Sequence, residues 1–538
     1  MCIIVKNGLG RILLIRYIAR LLNAWVKRQQ QDSLKKSSVT KIGSSLSRNL
    51  KKIMDELGNG SDVVNRQFLI GRSLPVQAAL IFIDGLVDQE TINDNILQPL
   101  LRVELNRPVD LDILEKSILA VGELKKVETQ EALIEGVLTG DTALLLDGQS
   151  MALLISTKGW EKRSIEEPNT EVIIKGARDG FTETLRTNTA LLRRRIGHPA
   201  LRFETMKIGK KTRTDICIAY IQGVAEDKLV EEVRQRLRRI NTSGILASES
   251  IDQFIEDAPF SPFGTVGYTE RPDVCAAKLM EGRVAIIVDG TPVVHTVPFL
   301  FWECFQSPDD YNFRPFYANI FRWIRYLAFV ITILLPGMYV AFSSYHQDLI
   351  PTNLLISMAA ATEGTPFPAF LEALGMGIIF ELLREAGIRL PRPVGQAVSI
   401  VGALVIGDAT VNAGLVGAPV VIVVALTAIA SFLIPSQVES TAFLRVVFTI
   451  LAGVMGALGI INGLIIMYVH LASLRSFGVP FLAPVAPIVP ADLKDVAFRA
   501  PIWMMWLNPK SIGSPNRIRQ AFQIRPEVPE EGHDDDRS

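Results

Sequence analysis

The chain has 538 residues, 56 Lys and Arg against 56 Asp and Glu, 49% apolar and 21% charged residues, and a mean hydropathy of +0.28. That is too apolar for an ordinary soluble protein and too charged for one lying wholly in lipid. The even charge balance implies no nucleic-acid partner, and four scattered cysteines, Cys2, Cys217, Cys275 and Cys304, without a CxxC or a nearby His, support neither a metal site nor a disulfide framework.

Residues 1–50 hold ten Lys or Arg and one acid, Asp32. Basic residues interrupt every apolar run there, so the stretch reads as a basic N-terminal extension rather than a signal peptide: an amphipathic helix on an anionic membrane surface, or an unordered arm. Residues 51–161 and 200–305 read as two related α/β subdomains. GDTALLLDGQSMALLIST (140–157) and GRVAIIVDGTPVVHTVP (282–298) each set a β-run, an Asp-Gly turn and a second β-run. Upstream, ALIFIDGLVDQETINDNIL (79–97) and CIAYIQGVAEDKLVEEVRQRL (217–237) each pair a buried strand and a Gly turn with an acidic helix start. Residues 162–199 join them as a linker containing a helix around 181–195. No GxxxxGK[ST] is present. Asp289, Glu303, His295 and His198 read as a turn residue, a surface acid and lone histidines, with no nucleophile, base and orienter at supporting spacing.

From 306 to 475 the chain reads as an all-α transmembrane domain, so the fold class is α+β, with the tandem subdomains on the cytosolic side. The stretch 321–342 is long enough to cross, and Arg314, Arg322 and Arg325 on its N-terminal side put the preceding region in the cytoplasm. Residues 343–365, interrupted by Pro351, Asn353 and Glu363, read as a loop or re-entrant piece. The stretch 366–396, PFPAFLEALGMGIIFELLREAGIRLPRPVGQ, carries Glu372, Glu381, Arg384 and Glu385 in an apolar run, each costing roughly 2.5–3.5 kcal/mol if left in lipid. At about 100° per residue Glu381, Arg384 and Glu385 share a stripe and Glu372 points the other way. Reversing the charges of both Glu381 and Arg384 is therefore expected to restore what either single reversal loses. Residues 394–414 carry Asp408 among Gly395, Gly402 and Gly407, glycines that admit close helix packing. Residues 418–436 are a clean span and 441–475 one tilted span, for four crossings with the acidic helix not fully spanning, five or six staying open as alternatives. Residues 476–538 form a Pro-rich tail with an acidic end.

Five blocks in one order, 268–298 (YTERPDVCAAKLMEGRVAIIVDGTPVVHTVP), 306–312 (QSPDDYN), 366–396, 421–432 (VIVVALTAIASF) and 470–481 (HLASLRSFGVPF), resemble the A subunit of the bacterial spore germinant receptors, the GerA family. The resemblance implies a non-enzymatic, multi-pass subunit of the spore inner membrane without cofactor. It implies work beside a transporter-like B subunit and a lipoprotein C subunit, self-association, and an ion-conducting role gated by germinant sensing in a partner. By motif it marks Glu363, Glu372, Glu381, Arg384 and Glu385 as ion-pathway candidates, with Asp408 added from its position. Gly377 stands where the family usually has an acid, Asp408 where it has Gln, and SQVEST (436–441) breaks the pattern after the Pro. Two other readings stay open: a secondary transporter, and a non-conducting scaffold in which Glu381, Arg384 and Glu385 merely pair to position helices.

Overall fold

The structure is a computed structural model that describes residues 40–71, 75–103, 110–159, 168, 171, 173–390, 402, 407–515 and 518–519. The expectations for residues 1–39, for Gly395 and for the acidic end lie outside the described residues. The chain divides into two units, Met1–Ile255 with Tyr268–Val297 and Ala500–Ser538, and Glu256–Gly267 with Pro298–Arg499.

In the first unit α1 (Leu46–Leu57), β1 (Val63–Ile70), β2 (Val76–Ile83), β3 (Leu124–Val127), α2 (Gln130–Leu138), β4 (Asp141–Leu146) and β5 (Ala152–Ser156) are followed by the same plan a second time. The second series is α3 (Leu185–Arg195), β6 (Leu201–Ile208), β7 (Thr214–Ile221), α4 (Asp227–Arg239), α5 (Glu249–Ile255), β8 (Gly267–Thr269), α6 (Pro272–Met280), β9 (Val284–Val288) and β10 (Val294–Val297). The strand orders, β1-β2-β4-β5-β3 and β6-β7-β9-β10-β8, are equivalent. The first sheet is antiparallel throughout, so the expected α/β subdomains are α+β in topology.

The Asp-Gly pairs explain the repetition. Gly148 and Gly290 take φ of 87° and 92°, the left-handed region that Gly adopts without strain. Asp147 Oδ1 accepts from Leu46 N at 2.9 Å and Asp289 Oδ1 from Leu185 N at 3.0 Å, so each turn caps the helix that opens its repeat. Asn49 accepts from Gly43 N at 3.0 Å and Asn188 from Thr182 N at 2.8 Å, each six residues back. The helix expected inside the linker is thus the first element of the second repeat. Residues 40–50, expected in the extension, belong to the first repeat, with Ile42, Leu46 and Leu50 buried.

The unbroken apolar strands follow from burial on both faces. Ala79, Ile81, Ala143, Leu145 and Leu154 pack with Ile53 and Leu57 of α1 on one side. Their neighbours Leu80, Phe82, Leu144, Leu146 and Leu153 pack with Ile92, Ile96 and Leu100 on the other, the alternation of a pleated strand. Between the repeats Arg193 pairs with Asp62 at 2.8 Å, both side chains 1% exposed. Cys217, Cys275 and Cys304 are buried thiols, and burial pushes Cys217 and Cys275 up to about 12.

The second unit holds α7 (Pro315–Ser344), α8 (Thr352–Thr362), α9 (Ala369–Arg389), α10 (Ala418–Ser431), α11 (Val438–Met455) and α12 (Ala457–Ser473). Among the described residues two helices, Pro315–Ser344 and Pro435–Met455, are long and apolar enough to cross a membrane. The four expected crossings are not matched one for one. The expected loop at 343–365 contains α8, and the expected single span at 441–475 breaks at Gly456, whose φ of 61° and ψ of −140° suit only Gly. There the chain turns back: a Cβ on Gly463 of α12 would meet Phe448 Cε1 of α11 at 2.8 Å, so small residues let the two helices close into a hairpin. Gly337 similarly brings α7 against the Phe448 carbonyl, where a Cβ would stand 3.0 Å away.

The ends of these helices are tied by polar contacts within the same unit. Arg322, fully buried, pairs with Asp310 at 3.2 Å and Asp495 at 2.9 Å; Arg325 also pairs with Asp310, and Tyr311 Oη donates to Asp495 at 2.6 Å. The start of the Pro-rich tail is therefore strapped to the first helix, and two of the arginines used to orient the chain are ion-paired. Ser476 Oγ donates to Thr265 O at 2.7 Å and accepts from Phe299 N at 2.9 Å, joining three distant stretches of backbone.

Candidate functional site

The acidic helix expected from the sequence is α9, bounded by Pro368 and Leu390. It runs antiparallel to α11: Phe370 lies against Gly453, and Glu381 reaches Arg445. Glu381 bridges two guanidiniums, that of Arg384 one turn along its own helix and that of Arg445 across the interface. The Arg445 side chain is 7% exposed and that of Arg384 19%. Arg445 also lies 6.0 Å from the Phe380 ring centre, a cation–π contact that helps a buried guanidinium replace water. Two cations on one carboxylate leave a net positive charge at this level, shared over charge-assisted contacts.

Beside the triad is a cleft of about 310 Å³, lined by Pro336, Leu374, Gly377, Phe380, Thr427 and Thr449 together with Glu381, Glu385 and Arg445. A Cβ on Gly377 would meet no atom within 4 Å. An acid in that place would thus extend one turn from Glu381 into free space. Chemically the cleft is an apolar wall with one charged floor, able to hold water or an ion beside fixed charges.

The other expected residues are not brought to this cluster. Glu385 stays at the exposed edge of the cleft, outside the Glu381 triad, and pairs with Arg389 rather than Arg384. Glu363 follows the end of α8 and is exposed, as is Asp408. Glu372 is 3% exposed and does not line the cleft; its Oε2 accepts from Gly417 N at 3.2 Å. Gly402 packs on Leu383, where a Cβ would lie 2.6 Å from Cδ2, whereas Gly407 has only ordinary contact with Val421 at 3.8 Å. The residue that sequence reasoning passed over is Arg445. Its signal was present, since it is a lone cation within an apolar span and such residues face a partner.

The residues that resemble a catalytic set have structural roles. Asp289 caps α3, Glu303 accepts from Leu300 N at 2.8 Å, and His198 Nδ1 accepts from Ala200 N at 3.1 Å. His295 is buried beside Asp252 at 3.2 Å, with no hydrogen-bond partner at Nε2, and burial lowers its pKa to about 4. Among the described residues no three His, Cys, Asp or Glu side chains converge as metal ligands.

Comparison with known proteins gives a consistent family. The profile described as "Bacillus/Clostridium GerA spore germination protein" matches residues 51–511. Spore germination protein KA of Bacillus subtilis is 47% identical over 490 residues, 90% of this chain and 90% of that protein. Spore germination protein GerLA of Bacillus cereus is 39% identical over 459 residues, 85% of this chain and 93% of that protein. A crystal structure of the N-terminal domain of the A subunit of the Bacillus megaterium spore germinant receptor GerK3 is 38% identical, covers 49% of this chain and 98% of that one, and has a TM-score of 0.40.

Proposed function

The chain belongs to the GerA family of spore germination proteins, and from that premise we propose that it is the A subunit of a nutrient germinant receptor that conducts ions as an oligomer. A transporter-like B subunit senses the germinant and a lipoprotein C subunit completes the receptor. The protein lies in the spore inner membrane, crossing it several times, with the tandem sheets in the cytoplasm, and carries no catalytic step.

The observation that carries this reading is the charged floor of the cleft: Glu381, held by Arg384 and Arg445, sits in an otherwise apolar helix layer. Ionisable groups at such depth are expensive unless they face protein or a wet path. The helix directions support an even number of crossings. Tyr345, at the end of α7, donates to Gly453 O at the end of α11, while Ser436, at the start of α11, donates to Cys304 O just before α7, so α7 and α11 run together and α12 returns.

Purified protein in liposomes tests the reading. Passive ion current is expected; solute-coupled uptake would assign it to the secondary transporters, and neither would leave a scaffold for the receptor complex. Asp408→Asn is expected to alter ion selectivity, and unchanged selectivity would remove Asp408 from the path.

A further inference from the structure

The second repeat carries a cluster of cations that its own acids do not balance. The hairpin between β6 and β7 turns through residues 209–213, and α4 ends on Arg238 and Arg239. Between the two segments lies a cleft of about 310 Å³, lined by Lys207, Lys210 and Arg238 with Asn241 and Thr242. Lys207 pairs with Asp215 at 3.3 Å. Among the described residues the exposed side chains of Lys210, Lys211, Arg213, Arg238 and Arg239 have no ion-pair or hydrogen-bond partner. The acids within electrostatic range of Arg238, Glu204 and Glu231, already pair with Arg234. The negative end of α4 suits Arg238 and Arg239, but about half a unit charge does not balance the cations on the facing hairpin as well.

The backbone keeps these like charges together. Lys210 N donates to Thr242 O at 3.1 Å, Lys211 N to Ser243 O at 2.8 Å and Ile245 N to Thr212 Oγ1 at 3.1 Å, so hairpin and loop are clasped. A Cβ on Gly244 would meet Thr212 Cγ2 at 2.6 Å, which leaves the pair little room to part. The complementary charge stands in the same chain. Residues 526–538 hold Glu527, Glu530, Glu531, Asp534, Asp535 and Asp536 against the single Arg537. The chain leading to them is fastened to this same repeat: Ser514 Oγ donates to Val224 O at 2.7 Å, and Arg519 pairs with Glu281 at 3.4 Å, beside the Gly282 that packs on the same Val224 carbonyl. Val224 precedes α4 and the cleft lies past its end, about 20 Å away at ~1.5 Å per residue. The step from Arg519 to Glu530 spans up to about 36 Å at ~3.3 Å per residue, so the acids reach the cleft. We propose that the acidic segment 526–536 docks in this cleft, its carboxylates against Lys207, Lys210, Lys211 and Arg238. Its tether supplies an effective concentration on the order of millimolar, which a free polyanion must exceed to displace it. The docking is independent of whether the protein conducts ions.

Zero-length carbodiimide coupling of the full-length protein in neutral detergent, read by peptide mass spectrometry, tests the docking. Amide links from Lys207, Lys210 and Lys211 to the acids of 526–536 are expected at low salt. They should be lost at high salt, because the screening length falls from about 10 Å at 0.1 M to about 3 Å at 1 M. The combined Arg238→Glu and Arg239→Glu changes remove charge but no reacting amine, and are expected to abolish the links at low salt while Lys126 still couples to Asp112 in the first repeat. Undiminished links in that variant overturn the proposal, as does a wild type that couples Lys126 to Asp112 and nothing to the segment. Should the variant not fold, the wild-type arms decide alone. In a mixture of heavy-isotope and ordinary protein, links only between copies would give the cleft to a second molecule and overturn the intramolecular docking. In nanodiscs of phosphatidylglycerol, links that persist support the segment as occupant; links that vanish there assign the cleft to anionic headgroups and overturn it.

Discussion

At Glu381 the number of partners decides the outcome of mutation. Combining Glu381→Arg with Arg384→Glu looks self-compensating on the helix alone, but it would set a new guanidinium against that of Arg445. The double reversal is therefore expected to stay as defective as the single ones in nutrient-triggered germination. In a double-mutant cycle Glu381 should couple more strongly to Arg445, the more buried partner, by about 1–3 kcal/mol, read from unfolding in mixed micelles; equal coupling to Arg384 would refute the ranking. Glu381 was legible in the sequence because an acid in an apolar run is conspicuous. Arg445 was not singled out because its partner lies 64 residues away, a separation no helical period reveals. His295 offers a pH test in the other unit. Its folded pKa of about 4 lies below the ordinary 6.5, so the unfolded chain binds the proton more readily. The stability it confers is whole above pH 6.5 and lost as pH falls toward 4, about 3 kcal/mol at 1.36 kcal/mol per unit. Glu171, whose carboxyl burial raises, has the opposite slope, so the comparison must be with a variant. His295→Gln is expected to flatten the acid loss of hydrogen-exchange protection in β9 and β10; an unchanged profile would exclude His295 as its source.

Among the elements, the hairpins were legible and the helix breaks less so. An Asp-Gly pair between apolar runs announces a turn by its local chemistry, and both turns are present. That the same aspartates also cap α1 and α3 was hidden, since Asp147 and Leu46 are 101 residues apart. At the far end of the chain the long apolar run at 441–475 reads as one tilted helix, because Gly456 is one glycine among several and its positive φ leaves no mark on composition. Gly456→Ala would set a Cβ 3.0 Å from that of Tyr345 and strain the backbone by on the order of 1–3 kcal/mol. Spin labels at Ser436 and Ser473 are expected to lie near one another in the wild type. In the variant a population should shift toward the roughly 55 Å of a continuous helix at about 1.5 Å per residue; identical distance distributions would show that the break does not depend on Gly456.

For the molecule as a whole, composition alone sets a charged, soluble-looking part apart from an apolar, helical part, because apolar and charged residues are segregated along the chain. Boundaries were less legible. Ile42 and Leu46 are core residues that sit next to a basic run, and α3 opens a repeat rather than ending a linker. The helix directions predict a topology: cysteines at Ser436 and Ser473 should react with an impermeant thiol reagent from one side of sealed vesicles and a cysteine at Ser344 from the other. Labelling of all three from one side would break the proposed crossing pattern. Ser476 bears on something else, the order in which the protein can be completed. Thr265 is made 211 residues before the hydroxyl that binds its carbonyl, and domains otherwise fold as they emerge from the ribosome. The Thr265 carbonyl must therefore wait for this partner while α7 to α12 are translated, and the clasp on it is a late event of biosynthesis.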